Sequence, residues 1–230
     1  MTGTRTHAEH QPTTQTIVDP VLTGGAADAP HPPYEMRPLL TEQDRDAVAE
    51  LVDQRTRWLN DRWLTPPYPG DPAVLFREPG ADSVALFEDG LPVGCLQLNR
   101  QPALSYWDAE IHEPSLLVSL AFTAPDRRTD LVGRLMTLWA MDFADRLGMT
   151  WVRCEVPSGA PSRDGTMRVP LLDHLMNVCG WQFVRPTKEK GGRPLALLQL
   201  PAQAQHLKSL ICCTVPHQRA VANTAERQGQ

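Results

Sequence analysis

The stretch from Ser115 to Val156 constrains the fold more than any other part of the chain. "SLLVSLAF", residues 115–122, is an unbroken apolar run of strand length, the pattern of a central strand covered on both faces. "MTWVRCEV", residues 149–156, reads as a second strand. Between them Val132, Leu135, Met136, Trp139, Phe143 and Leu147 recur at helical spacing, and Gly148 stands where a C-terminal cap glycine belongs. A strand, a helix and a strand in this order form a crossover unit, so the two strands are predicted to pair in parallel. The chain is therefore expected to be α/β, with a mixed central sheet of six to seven strands flanked by helices.

Elements on either side extend this unit. "YEMRPLL" from Tyr34 predicts a short strand, and Thr41 with Asp44 opens a helix whose face carries Val48, Leu51, Val52 and Arg55. Trp58, Leu59, Trp63 and Leu64 read as a second apolar cluster belonging to the core, ended by Pro66 and Pro67. "SVALFEDGLPVGCLQL" is a hairpin with its turn at Asp89-Gly90. Pro170 opens a later helix with Leu171, Leu172, Leu175, Met176 and Cys179 on one face, closed by Gly180. "WQFVRP" and "PLALLQL" are the last strands.

Residues 1–33 are poor in large apolar side chains and are expected to form a disordered arm. The folded domain is expected over 34–201. A C-terminal tail over 202–230 loses the pattern except at Leu207, Leu210 and Ile211, a patch that suggests pairing into a homodimer.

Composition excludes several classes. The net charge of -5 and the lack of any Lys/Arg block argue against nucleic acid as a partner. No apolar run reaches the ~18 residues of a membrane span, and the first 30 residues lack a signal-peptide centre, so a cytoplasmic protein is expected. Five scattered cysteines fit a reducing compartment better than a disulfide framework. The histidines show no paired ligand spacing, so no metal is expected.

The junction "TAPDRRTDLVGRLM", residues 123–136, has the chemistry of an anion site. The first N–H groups of a helix are unpaired and carry the positive end of its dipole. Residues 128–133 supply such amides, and Arg127, Arg128 and Arg134 can add charge-assisted bonds. Asp130 has to turn toward solvent or an arginine. An ordinary helix start with solvated charges is the competing reading.

The order of elements and this basic turn resemble the GNAT superfamily of N-acetyltransferases over roughly 34–201. "SLAFTAPDRRTDLVGRLMTLWAMDFADRLG" looks like that family's fourth strand, pyrophosphate turn and third helix, with the signature Q/R-x-x-G-x-G/A. "MTWVRCEV" resembles its fifth strand, "LLDHLMNVCGWQFVR" its next helix and strand, and "EDGLPVGCLQL" its common hairpin. Laid on the signature, Arg128 and Gly133 match while Leu131 replaces the first glycine. Met176 stands where the family usually has the Tyr that protonates the departing thiolate.

The resemblance implies acetyl-CoA, or a related acyl-CoA, as cosubstrate. Its diphosphate would lie on Arg127, Arg128, Thr129, Leu131, Val132, Gly133 and Arg134, and its pantetheine along the strand end at Phe122 and Thr123. It also implies acetyl transfer to a primary amine, on a small molecule or a protein, by direct attack. Amine acylation needs a base. Glu155, at the end of the fifth strand, is the candidate, with a solvated strand-end charge as the plain alternative. Trp107, Glu110 and His112, with Tyr106, would line an acceptor pocket or form an exposed loop. The replaced glycine and Tyr leave a second reading open, a GNAT-like domain that binds or regulates without catalysing.

Overall fold

The computed structural model describes residues 31–64, 66, 68, 70–107, 113–126, 129–158 and 170–217. The chain divides into two units, Met1–His31 and Pro32–Gln230, and all described elements belong to the second. The expected arm over 1–33 lies almost wholly outside the described residues.

The elements in chain order are β1 (Tyr34–Pro38), α1 (Glu42–Asp61), α2 (Pro72–Arg77), β2 (Ser83–Glu88), β3 (Leu91–Asn99), β4 (Ser115–Thr123), α3 (Thr129–Arg146), β5 (Trp151–Pro157), α4 (Pro170–Asn177), β6 (Gln182–Lys188), β7 (Pro194–Pro201) and β8 (Ile211–Cys213). They form one eight-stranded mixed sheet in the order β6-β7-β5-β4-β3-β2-β1-β8. The crossover predicted from sequence is present: β4 and β5 are parallel neighbours joined through α3. The hairpin is present too, with Asp89 at φ 51° and Gly90 at φ 77°. Positive φ at both turn residues is the geometry that suits the twist of the flanking strands.

Alternation along the strands divides the core. Val84, Leu86, Leu116, Val118, Val152 and Cys154 meet Val132, Leu135, Met136, Trp139 and Phe143 of α3 on one face. Ala85, Phe87 and Cys95 meet Val48, Val52 and Phe76 of α1 and α2 on the other. Gly94 of β3 lies against the first turns of α3. A Cβ there would stand 2.8 Å from Val132 Cγ1 and 2.7 Å from Met136 Sδ, so only glycine lets the first turns of α3 lie down.

Several expectations are corrected. The apolar cluster after Arg55 begins on α1, which runs to Asp61, and does not join the core. Trp63 is 95% exposed, not core, and Trp58 lies under the guanidinium groups of Arg55 and Arg62 at 4.4 and 4.0 Å. The helix α4 ends at Asn177, short of Cys179; Leu172 and Cys179 are buried, but Leu171 and Met176 of the expected face are exposed.

The sheet has eight strands because the chain beyond Pro201 returns to it. Ile211–Cys213 pairs in parallel with Tyr34–Met36, and Val215 is buried. Arg100 then ties the next turn down. Its guanidinium holds both oxygens of Asp82, at 2.7 and 3.1 Å, and donates to the carbonyls of Pro216 and His217 at 2.8 Å each. Leu207 and Ile211, read from sequence as a surface for a second subunit, are core residues of their own chain. A three-residue strand is too short to show alternation, which hid it in the sequence.

Candidate active site

The site forms where β4 and β5 part. Their parallel ladder runs from Ser115 opposite Trp151 to Val118 opposite Cys154 and then stops. From Ser119 to Thr123, β4 remains paired only to β3, while β5 continues along β7 as far as Pro157. The parting has a local cause. The β3–β4 register shifts between Cys95 and Gln97, opposite Leu120, and Leu120 takes φ 48°. A leucine in the left-handed region costs about 1–3 kcal/mol, and such strain collects at functional sites. The bulge also inverts the strand: Leu116 and Val118 face α3, whereas Leu120, Phe122 and Ala124 face α1 and α2.

Beside this opening lies a cavity of about 260 Å³, whose lining includes Tyr68, Tyr106, Leu120, Glu155, Glu189 and Arg193. Glu155 is the acid of β5 facing it. Its Oε1 accepts the indole N–H of Trp107 at 3.1 Å. Burial raises the Glu155 carboxyl above the ordinary carboxylate value, and the Trp107 donor partly offsets this. Trp107 is itself buried, as no exposed loop tryptophan would be, and it covers Arg153 with the guanidinium 4.6 Å from its ring. Arg153 is 1% exposed, and its Nε and Nη1 have no hydrogen-bond partner. The Arg185 guanidinium donates to the Tyr106 carbonyl at 2.9 Å, which fastens this loop to β6.

Tyr68 closes the opposite wall. Its ring packs on Phe122 at 5.5 Å. Burial raises its phenol well above the usual range. The sequence reading sets the exposed amides at Phe122 and Thr123. In the structure both residues lie on the part of β4 that pairs with β3 and has left β5.

The start of α3 lies beyond the end of β4. Val132 is buried and Leu131 is 39% exposed, with Arg134 exposed beside it. Gly133 faces α4: a Cβ there would meet His174 Nε2 at 3.6 Å and Cys179 Sγ at 3.7 Å, ordinary contact distances. His174 and Cys179 are 3.7 Å apart, so His174 turns inward instead of lying free on the surface. Arg127, Arg128, Glu110 and His112 lie outside the described residues, and Thr129 is placed only as the first residue of α3.

Of the residues singled out from sequence, Glu155 and Tyr106 line the cavity and Trp107 bonds to Glu155, whereas the lining residues Tyr68, Glu189 and Arg193 were not singled out. Tyr68 carries a faint signal in "TPPYPGDP", where one aromatic stands among residues that stiffen a loop. Among the described residues no group of acidic, His and Cys side chains is arranged to hold a metal ion, and no helix is long and apolar enough to cross a membrane.

An open mixed sheet whose parallel centre parts beyond a bulge, with a helix starting from the tip of the parted strand, defines a fold class. The protein has the fold of the GNAT N-acetyltransferases. A GNAT-family protein from Desulfovibrio desulfuricans superposes with a TM-score of 0.54 at 17% identity, over 74% of this chain and 99% of that one. A GNAT-family acetyltransferase from Listeria monocytogenes gives 0.49 at 14% identity, over 70% and 91%. The yncA protein of Salmonella typhimurium, solved with its cofactor acetyl-CoA, gives 0.42 at 16% identity, over 76% and 96%. No family model matches the sequence, and no curated protein matches it.

Proposed function

We propose that the protein is an acyl-CoA-dependent N-acyltransferase that moves acetyl from acetyl-CoA to a primary amine. The observation that carries the proposal is the opening beyond Val118, where the strained bulge at Leu120 stands across the cavity from Glu155. An extended thioester arm needs a strand edge without a neighbour, and β4 offers one from Ser119 to Thr123. A diphosphate at the far end of that arm would meet the first amides of α3, with Thr129, Leu131, Val132 and Gly133 supplying backbone and Arg127, Arg128 and Arg134 supplying charge.

In this reading Glu155 is the base. A carboxylate held above its ordinary pKa by burial is better matched to an ammonium proton than an exposed one. Trp107 orients it through the indole N–H. The amine attacks the thioester carbonyl directly, the C–S bond breaks, and CoA leaves as the thiol. The acceptor approaches through the cavity that holds Tyr106, Glu189 and Arg193.

Calorimetry with CoA tests the first step. Binding with a CoA-dependent rise in Tm is expected, and no heat at millimolar CoA refutes the reading. Thiol release from acetyl-CoA over a panel of amines tests the second. Binding without turnover on any amine would favour the module that binds without catalysing, which exposed Met176 in place of a family Tyr also suits.

A further inference from the structure

Trp107 touches two charged groups of β5. Arg153 and Glu155 stand two residues apart on the strand, so their side chains leave the same face. The Arg153 guanidinium lies over the Trp107 ring, 4.6 Å from its centre, and the indole N–H donates to Glu155 Oε1 at 3.1 Å. Ion pairing does not account for the buried cation. The carboxylate of Glu113 is 3.9 Å away, more than half exposed, and already accepts the indole N–H of Trp151. Arg153 is 1% exposed, and its Nε and Nη1 have no hydrogen-bond partner. A guanidinium buried in this state opposes folding. Its best-made contact is the ring that holds Glu155.

We propose that Arg153 is a positioning residue: acting through the Trp107 indole, it holds the Glu155 carboxylate in place for the acceptor amine. The inference deepens the acyl-transfer reading and rests on it. A cation over an indole face holds the ring by attraction to its π electrons. It also draws electron density from the ring, which makes the N–H a stronger donor to Glu155. Arg153 is not among the described residues that line the cavity, so its influence on the reaction passes through the ring. Other titratable or charged groups face Glu155. Tyr68, Tyr106, Glu189 and Arg193 share its cavity, and Cys154 adjoins it on β5. The test therefore isolates the path through Trp107.

Carbon-13 NMR follows titration of the Glu155 carboxyl, assigned by its loss in Glu155→Gln. Nitrogen-15 NMR follows the Trp107 indole N–H, assigned by its loss in Trp107→Phe. Wild type is compared with Arg153→Met, which keeps an apolar stem beneath the ring without the cation, and with Arg153→Lys, which keeps a cation. In Arg153→Met, Glu155 is expected to titrate at higher pH, by less than in Trp107→Phe, and the indole proton to move upfield. Arg153→Lys should return both signals most of the way. In a Trp107→Phe background, Arg153→Met should shift Glu155 no further. With acetyl-CoA and whichever amine of the panel reacts, kcat in Arg153→Met should fall roughly 3–30-fold, with CoA affinity and Tm not reduced.

A folded Arg153→Met with wild-type Glu155 titration and indole signal overturns the proposal. So does a shift that persists without the indole, because Arg153 would then act on Glu155 by another route. An Arg153→Met that fails to fold makes Arg153 a structural residue and overturns it too. The resonances decide these points without turnover. A wild type that binds no CoA overturns the acyl-transfer reading, whatever the resonances show.

Discussion

The indole N–H of Trp107 donates to Oε1 of Glu155 at 3.1 Å, joining a loop residue to a strand residue 48 positions on that lines the cavity. The bond restrains the carboxylate on the loop side and pulls its pKa down against the upward push of burial. Removing the donor leaves burial unopposed. In Trp107→Phe the rise of kcat/KM with pH, which reports ionisation of the base, is therefore expected at higher pH than in wild type. The pH profile of thiol release checks this, and a limb that stays in place contradicts it.

Glu155→Gln separates charge from shape. The folded-state pKa of Glu155 is raised, so its contribution to stability is fully present below the unfolded carboxylate pKa and is lost as pH rises through the folded value. At neutral pH the half-buried charge opposes folding, and the amide still accepts from Trp107. The variant is expected to melt at or above the wild-type Tm near pH 7, with the advantage vanishing in acid. Turnover should fall about 10²–10⁴-fold. Thermal melts across pH and steady-state rates check both halves.

Gly94→Ala and Gly133→Ala are expected to part company. The first drives a methyl into Val132 and Met136 at under 3 Å and should cost about 1–3 kcal/mol. The second places a methyl at contact distance from His174 and Cys179 inside α3 and should be neutral or stabilise by up to about 1 kcal/mol. Urea titrations of the pair decide it.

Arg153→Met should be neutral or stabilising. The guanidinium is buried with two nitrogens unpartnered, and its contact with Glu113 is long, at 3.9 Å. A methionine keeps a stem under Trp107 and removes the desolvated charge. A Tm loss of several degrees would show that the cation is needed where it lies.

Arg100→Ala is expected to release the last turn of the described chain. It leaves Asp82 without its partner and frees the carbonyls of Pro216 and His217, with a loss of about 3 kcal/mol. Hydrogen exchange at Thr214 and Val215 should rise first, because both depend on the segment staying against β1 and the core.

The crossover from β4 through α3 to β5, the hairpin at Asp89-Gly90 and the strand position of Glu155 were determined by the sequence alone. Each rests on periodicity, turn chemistry or a cap that a dozen neighbouring residues encode. The resemblance in "TAPDRRTDLVGRLM" likewise pointed to the GNAT fold. Tertiary structure decided the rest. The bulge at Leu120 depends on two strands failing to match in register, a property of neither strand. Tyr68 and Glu155, 87 positions apart in the chain, line one cavity beside the place where the sheet parts beyond Val118. The return of Ile211–Cys213 to β1 depends on an edge that exists only once the sheet has formed. Local pattern selects elements, but a site built from a register shift and a gap is visible only after the strands have paired.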